Sequence, residues 1–121
     1  MIQRFVLNGS VPIDVGRATR SVPLDMFRAV AKRDGGCRHP GCNRKVAWCD
    51  AHHIRFWRNG GPTSLDNLVL LCARHHHLSH RPGWQIKLLP DATIELTNPN
   101  SHTQTSHPRP RPALTNIRLQ T

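Results

Sequence analysis

The stretch Asn67-Leu68-Val69-Leu70-Leu71-Cys72-Ala73-Arg74-His75-His76-His77-Leu78-Ser79-His80 decides how this chain is read. Its first half is a short apolar run, which suits a buried strand or the start of a helix. Its second half places Cys72, His75, His76 and His80 at helical spacing. Residues three and four apart share a helical face, so Cys72 and His75 make one ligand pair and His76 and His80 another. His75 and His76 diverge by about 100° around the axis. One short helix can therefore feed two metal sites, with His77 left on the surface.

The first pair has a match upstream. Cys37-Arg38-His39-Pro40-Gly41-Cys42 is a C-x4-C knuckle, and Gly41 permits the tight backbone of such a turn. Cys37, Cys42, Cys72 and His75 together close a Cys3His set suited to tetrahedral Zn²⁺, with bonds of about 2.0–2.3 Å. Four protein ligands leave no open position, which marks a structural ion. Cys49 has no partner at short range and reads as a small core residue. A C2H2 finger fits poorly, because about 12 residues separate its Cys and His pairs and the gap here is far longer. Four cysteines also allow three disulfide connectivities. Nine histidines and no visible export signal favour metal ligation over those.

Outward from this centre, the expected fold is α+β. Residues 4–15 read as a hairpin turning at Asn8-Gly9, followed by the basic connector Gly16 to Arg20. A helix is predicted from Leu24 to Arg33, started by Ser21 or Asp25 with Pro23 in its first turn and ended at Gly35-Gly36. Leu24, Phe27, Val30 and Ala31 would form its core face. Val46 to Ile54 reads as a strand, and Arg55 to Asp66 as a loop holding Trp57 and the turn Gly60-Gly61-Pro62. Trp84–Leu89 and Thr93–Thr97 alternate as a closing hairpin around Pro90-Asp91. The tail after Asn98, rich in Pro, Ser, Thr, His and Arg, has few apolar residues to bury and is expected to be disordered. The organisation is thus 1–22, hairpin and connector; 23–89, the principal domain with its preceding helix; 90–97, a closing strand; and 98–121, the tail.

Among the 121 residues, seventeen Lys and Arg face seven Asp and Glu, a formal net charge of +10. Such a field draws in polyanions, and most of the cations are arginines, whose planar fork suits phosphate oxygens. Nucleic acid is the expected partner. Arg55, Arg58 and Arg74 flank the histidines and are candidate phosphate ligands. No segment has the roughly 18 apolar residues that span a bilayer. Met1 to Ser10 lacks a secretory pattern, and a cytoplasmic location is expected.

The order His52-His53, then Asn67, then Cys72-x2-His75-His76-x3-His80, with an upstream Cys pair, resembles the HNH endonucleases of the ββα-metal fold. The stretch Cys37 to Trp84 more narrowly resembles the HNH domain of actinobacterial repeat-family proteins. There, runs like Trp48-Cys49-Asp50-Ala51-His52-His53-Ile54, a Gly-Gly-Pro-Thr loop, Asn67-Leu68-Val69-Leu70-Leu71-Cys72 and a His-rich helix succeed one another. The resemblance covers somewhat under half the chain and extends weakly upstream through Gly16-Arg17-x-x-Arg20.

That resemblance implies a small ββα-metal domain with a zinc knuckle, a preceding helix and short flanking hairpins. It also implies roles. His53 matches the general base, Asn67 the residue that orients it, His52 and His76 metal ligands, and His80 an additional ligand. The implied activity is hydrolysis of phosphodiester bonds in double-stranded DNA, using a divalent ion (Mg²⁺, Mn²⁺, Ni²⁺ or Zn²⁺) beside the structural Zn²⁺. Phosphodiester hydrolysis needs a deprotonated water and a cation against the phosphate charge, and neutral His can take that proton near pH 7. Such relatives carry a long region before this domain, so the alternative expectation is a shortened, inactive, zinc-stabilised DNA-binding module.

Overall fold

A computed structural model describes residues 6–8, 11–17 and 20–109. Strands β1 (Val6–Asn8) and β2 (Val11–Gly16) pair antiparallel, with Asn8 opposite Val11. The hairpin is therefore present, and its connection, residues 9 and 10, lies outside the described residues. Helix α1 spans Leu24–Asp34, with Pro23 as N-cap and no side chain capping it. Ser21 and Asp25 were the expected starts. Asp25 sits instead in the first turn, where a carboxylate suits the positive end of the helix dipole. Gly35, at φ 75°, ends the helix and donates its N–H to the Ala31 carbonyl.

The buried side chains of α1 are Met26, Val30 and Asp34, with Phe27 and Ala31 partly covered. Leu24, expected in the core, is 61% exposed. It stands in the helix's first turn, outside the i, i+4 stripe that Met26, Val30 and Asp34 define.

Strand β3 is Cys49–His53, shorter than expected because Val46–Trp48 forms a 3-10 turn closed by Trp48 N–H to the Lys45 carbonyl. Strand β4, Thr63–Ser64, pairs with β2, so the sequence between His53 and Asn67 is more than a loop. Strand β5, Leu68–Cys72, resolves the ambiguous apolar run: all five of its residues are buried, as in a strand covered on both faces. Helix α2, Ala73–Ser79, follows directly with Cys72 as its N-cap. Antiparallel β3 and β5 pair Cys49 with Cys72, His52 with Val69 and His53 with Leu68, and α2 packs on both strands. This ββα unit is the frame of the site.

A third sheet has the order β6 (Gln85–Leu88), β7 (Ile94–Thr97), β8 (Thr103–Ser106). The hairpin across Pro90-Asp91 is as expected from the alternation. The disorder expected after Asn98 is corrected by β8, which runs antiparallel to β7. An outer strand of Thr, Gln and Ser needs no apolar face of its own, because the ladder and the β-branched Thr residues carry it. Asn98 shapes the turn, its Oδ1 accepting the N–H groups of Asn100 and His102. Beyond β8, Arg109 donates to the carbonyls of Cys37 (2.6 Å) and Cys42 (3.0 Å), fastening the segment over the knuckle. Residues 110–121, including Arg111 of the Pro-Arg run, lie outside the described residues. Among the described residues no helix is long and apolar enough to cross a membrane.

Candidate metal centres and active site

The knuckle turn is closed by Cys42 N–H to the His39 carbonyl, with Gly41 at φ 82°, a conformation that favours glycine. Cys37 N–H bonds the Arg44 carbonyl, and Arg38 N–H bonds Leu70 of β5, so the knuckle lies against the strand that leads into α2. This brings the donor atoms of Cys37, Cys42, Cys72 and His75 within 4.8 Å of one another. All four cysteines are free thiols. His75 Nδ1 lies 3.4 Å from Cys37 Sγ and 3.3 Å from Cys72 Sγ. A tetrahedral zinc with ordinary bond lengths separates its S and N ligands by about 3.6 Å, so the set fits that ion.

Burial pushes the Cys37 thiol up to about 12, and it pushes the His75 ring down to about 4, leaving that ring neutral and able to ligate. At Cys72 burial works against the thiolate, yet the backbone N–H groups of His75 and Arg74 and the thiols of Cys37 and Cys42 bring the net value below the ordinary one. Cys49 stands outside the set, buried, with Sγ 3.3 Å from the Lys45 carbonyl. The His39 ring stacks on that of His75 at 3.8 Å and 8°, backing the ligand; sequence spacing gave no sign of it.

The second set is His52, His76 and His80, again with donor atoms within 4.8 Å. Their ring centroids are 4.9, 5.0 and 5.2 Å apart. His52 is buried at the end of β3, His76 is half-buried and His80 is exposed, so the set opens to solvent on one side. Three protein donors leave a coordination position free, the pattern of a working rather than a structural ion. Burial first, then the neighbouring His76, His80 and His53, push the His52 ring down to about 3, so it presents a neutral lone pair. The Phe56 ring stacks on His80 at 4.6 Å and meets His52 edge-on at 5.7 Å, walling the set; this residue was missed in the sequence. Ser79 Oγ donates to the His76 carbonyl and lies 3.4 Å from His52 Nε2.

His53 joins this set in a cleft of about 260 Å³ lined also by Arg20, Ala51, Phe56, Trp57 and Arg58. Neighbouring strand residues project to opposite faces. Both histidines still border one cleft, since β3 ends at His53. His53 Nε2 lies 2.8 Å from Thr63 Oγ1, and Thr63 is fully buried. Burial, then the charges of Arg20 and Arg17, lower the pKa of the His53 ring.

Asn67 was expected to hold the ring of His53. Its hydrogen bonds go elsewhere: Oδ1 accepts Arg55 N–H, and Nδ2 donates to the carbonyls of Arg55 and Pro62. Asn67 thus ties down the 55–62 loop, and Thr63 takes the place at the ring. Gly61 is more than turn chemistry, because a Cβ there would lie 1.8 Å from the Arg55 carbonyl oxygen.

Of the three arginines singled out in the sequence, Arg58 lines the cleft. Arg55 turns its guanidinium to the Asn59 carbonyl in its own loop. Arg74 borders the surface beside the Cys3His set, with Arg44 and His75. Trp57 faces the ring of His53 at 6.0 Å and is covered by Arg17, whose guanidinium carbon sits 3.7 Å from the indole centroid.

A ββα frame carrying a Cys3His set and a three-His cleft defines a class, and the family model described as HNH endonuclease matches residues 37–81. The chain thus contains an HNH-type segment. It is similar to uncharacterized proteins of Mycobacterium tuberculosis. It is 45% identical to protein Rv3776 over 80 residues, covering 65% of this chain and 15% of that protein. It is 43% identical to Rv2100 over 83 residues, covering 68% of this chain and 15% of that protein. A shorter similarity, 36% over 52 residues, links it to Rv1128c, with 43% of this chain and 11% of that protein covered. The chain therefore spans a small part of the length of these relatives. No solved structure gives a significant match. The HNH match supports a nuclease or DNA-binding function with divalent metal chemistry.

Proposed function

We propose that the chain is a metal-dependent endonuclease that hydrolyses phosphodiester bonds in double-stranded DNA. The observation that carries this reading is the placement of His53 in one cleft with the open His52, His76 and His80 set. His52, His76 and His80 would hold the working divalent ion, and Cys37, Cys42, Cys72 and His75 a Zn²⁺ that keeps the knuckle on the ββα unit. When bound, the working ion supplies positive charge against the scissile phosphate and the leaving oxygen.

The chain's own residues do the rest. With Thr63 Oγ1 2.8 Å from its Nε2, His53 would donate Nε2–H to that hydroxyl, which would fix the tautomer and leave Nδ1 with a lone pair. Nδ1 would take a proton from water as the oxygen attacks phosphorus, and the bond from phosphorus to the leaving oxygen would break with its electron pair on that oxygen, which takes a proton from solvent. A lowered pKa keeps His53 neutral and ready to act as a base at neutral pH. Asn67 holds the 55–62 loop against the strand end, and Phe56 excludes water from one side of the ligand set.

Plasmid nicking with Mg²⁺, Mn²⁺, Ni²⁺ or Zn²⁺, comparing wild type with His53→Ala, tests the reading. Nicking that needs a divalent ion and is lost in His53→Ala is the expected result. Salt-sensitive DNA binding without nicking under any of these metals would replace it with the zinc-stabilised binding module.

A further inference from the structure

Two arginines line the cleft and a third, Arg17, packs on its Trp57, and they are held differently. Arg17 is committed: its Nη1 donates to the carbonyls of Trp57 (2.6 Å) and Gly61 (3.0 Å), and its guanidinium covers the indole. Its role is to brace the 57–61 loop. Arg58 lies on the other side, its guanidinium carbon 5.0 Å from the Phe56 ring centroid, and its charge acts on His80. Arg20 is exposed and lines the cleft beside His53, and no hydrogen bond or ion pair among the described residues holds its guanidinium. The carboxylates in its sequence neighbourhood are spoken for: Asp14 accepts from Gly16 N–H and Asp25 faces Arg28. A cation with five donors, no acceptor among the described residues and an open cleft beside a base is arranged for an external anion.

We propose that Arg20 is a phosphate-binding residue of the cleft, engaging a non-bridging oxygen of the nucleic-acid backbone on the His53 side while Arg58 serves the His80 side. The assignment rests on reading the cleft as a phosphodiester site. It gives the connector Gly16 to Arg20 a division of labour, with Arg17 building the wall and Arg20 meeting the substrate. The two-sided placement sets one cation beside the attacking water and another beside the metal ligands, so the phosphate is oriented between them. It also adds a second cation to a cleft otherwise lined by Arg58, four histidines, Ala51, Phe56 and Trp57.

The experiment is fluorescence anisotropy of a labelled short DNA duplex, without added divalent metal, titrated between about 50 and 200 mM salt. It compares wild type, Arg20→Ala, Arg20→Lys and Arg28→Ala, an exposed arginine on α1 outside the cleft. Removing one phosphate contact lowers the salt slope by about 0.9 and weakens binding by roughly five- to tenfold at the low-salt end. That loss is expected in Arg20→Ala alone, with the slope recovered in Arg20→Lys. A slope in Arg20→Ala equal to wild type, or equal losses in Arg20→Ala and Arg28→Ala, overturns the assignment. The same preparations are assayed for nicking with Mg²⁺, Mn²⁺, Ni²⁺ and Zn²⁺. An Arg20-dependent slope in a protein that never nicks overturns the nuclease reading and leaves the phosphate site standing. Nicking by wild type with an unchanged slope in Arg20→Ala does the reverse.

Discussion

Arg38 and Asp34 meet with Nη1 2.6 Å from Oδ1, and both side chains are completely buried. Burying two charges is costly unless both are paired and fully hydrogen-bonded. Here the remaining capacity is used. Asp34 Oδ2 accepts the N–H of Leu70 in β5 and is bonded by Arg33, while Arg38 Nη2 donates to the carbonyls of Ala92 and Ser106. One ionic node thus joins the end of α1, the start of the knuckle, the central strand and the C-terminal sheet. It sits behind the Cys3His set, and it holds the two halves of the chain in register.

Replacing Arg38 by Met should therefore cost about 3–5 kcal/mol, because a buried carboxylate loses its partner and two carbonyls lose their donor. Chemical denaturation measures the loss. Hydrogen exchange should also show β7 and β8 opening ahead of the ββα unit. A change below about 1 kcal/mol, typical of an exposed ion pair, would mean that the node is dispensable.

The helix α1 offers a sharper check on side-chain placement. Met26 is fully buried in the core and Leu24 is 61% exposed. Met26→Ala should cost about 2–5 kcal/mol, whereas Leu24→Ala should fall within about 0.5 kcal/mol of wild type, as for surface positions. Thermal or urea midpoints decide it, and comparable losses in the two variants would contradict the orientation of the helix.

What the sequence revealed and what it hid divide along physical lines. The knuckle, the Cys72–His75 pair and His76-x3-His80 were legible because ligand spacing along one turn is a local property. The strand β5 was legible as an apolar run, although its type depended on burial from both faces. Leu24 was misjudged because a helix end has two nearly equivalent apolar faces, and only packing against β5 and β2 selects one. Phe56 and Arg20 reach the cleft, and Thr63 reaches the ring of His53, from separate segments, and no periodicity connects them. The strand β8 was hidden because its stability comes from a ladder to β7 rather than from its own hydrophobicity.

Removing the proposed structural ion should be more damaging than removing Cys49, the cysteine outside the set. A strong chelator is expected to abolish the cooperative unfolding transition, since the knuckle is held to β5 by a few backbone bonds and the ligands. Zinc content by mass spectrometry should fall in Cys42→Ser and stay unchanged in Cys49→Ala. Zinc loss in Cys49→Ala matching that of Cys42→Ser would require a different ligand set.

Thr63 gives a direct test of how the proposed base is prepared. If Nε2–H is donated to Oγ1, 2.8 Å away, the neutral His53 ring carries its proton on Nε2 and keeps Nδ1 free. Thr63→Val keeps the shape of this buried side chain and removes the acceptor, while Thr63→Ser keeps the hydroxyl. The ring ¹⁵N resonances of His53 should show one protonated Nε2 and one bare Nδ1 in wild type and in Thr63→Ser. In Thr63→Val they should move toward a tautomeric mixture. Nicking should fall by roughly 10²-fold in the valine variant, the lower range for losing an aligned general base, and be largely restored by serine. If Thr63→Val left both the ring resonances and the rate as in wild type, the hydroxyl would have no part in positioning His53. The loop held by Asn67 would then have to fix the ring without it.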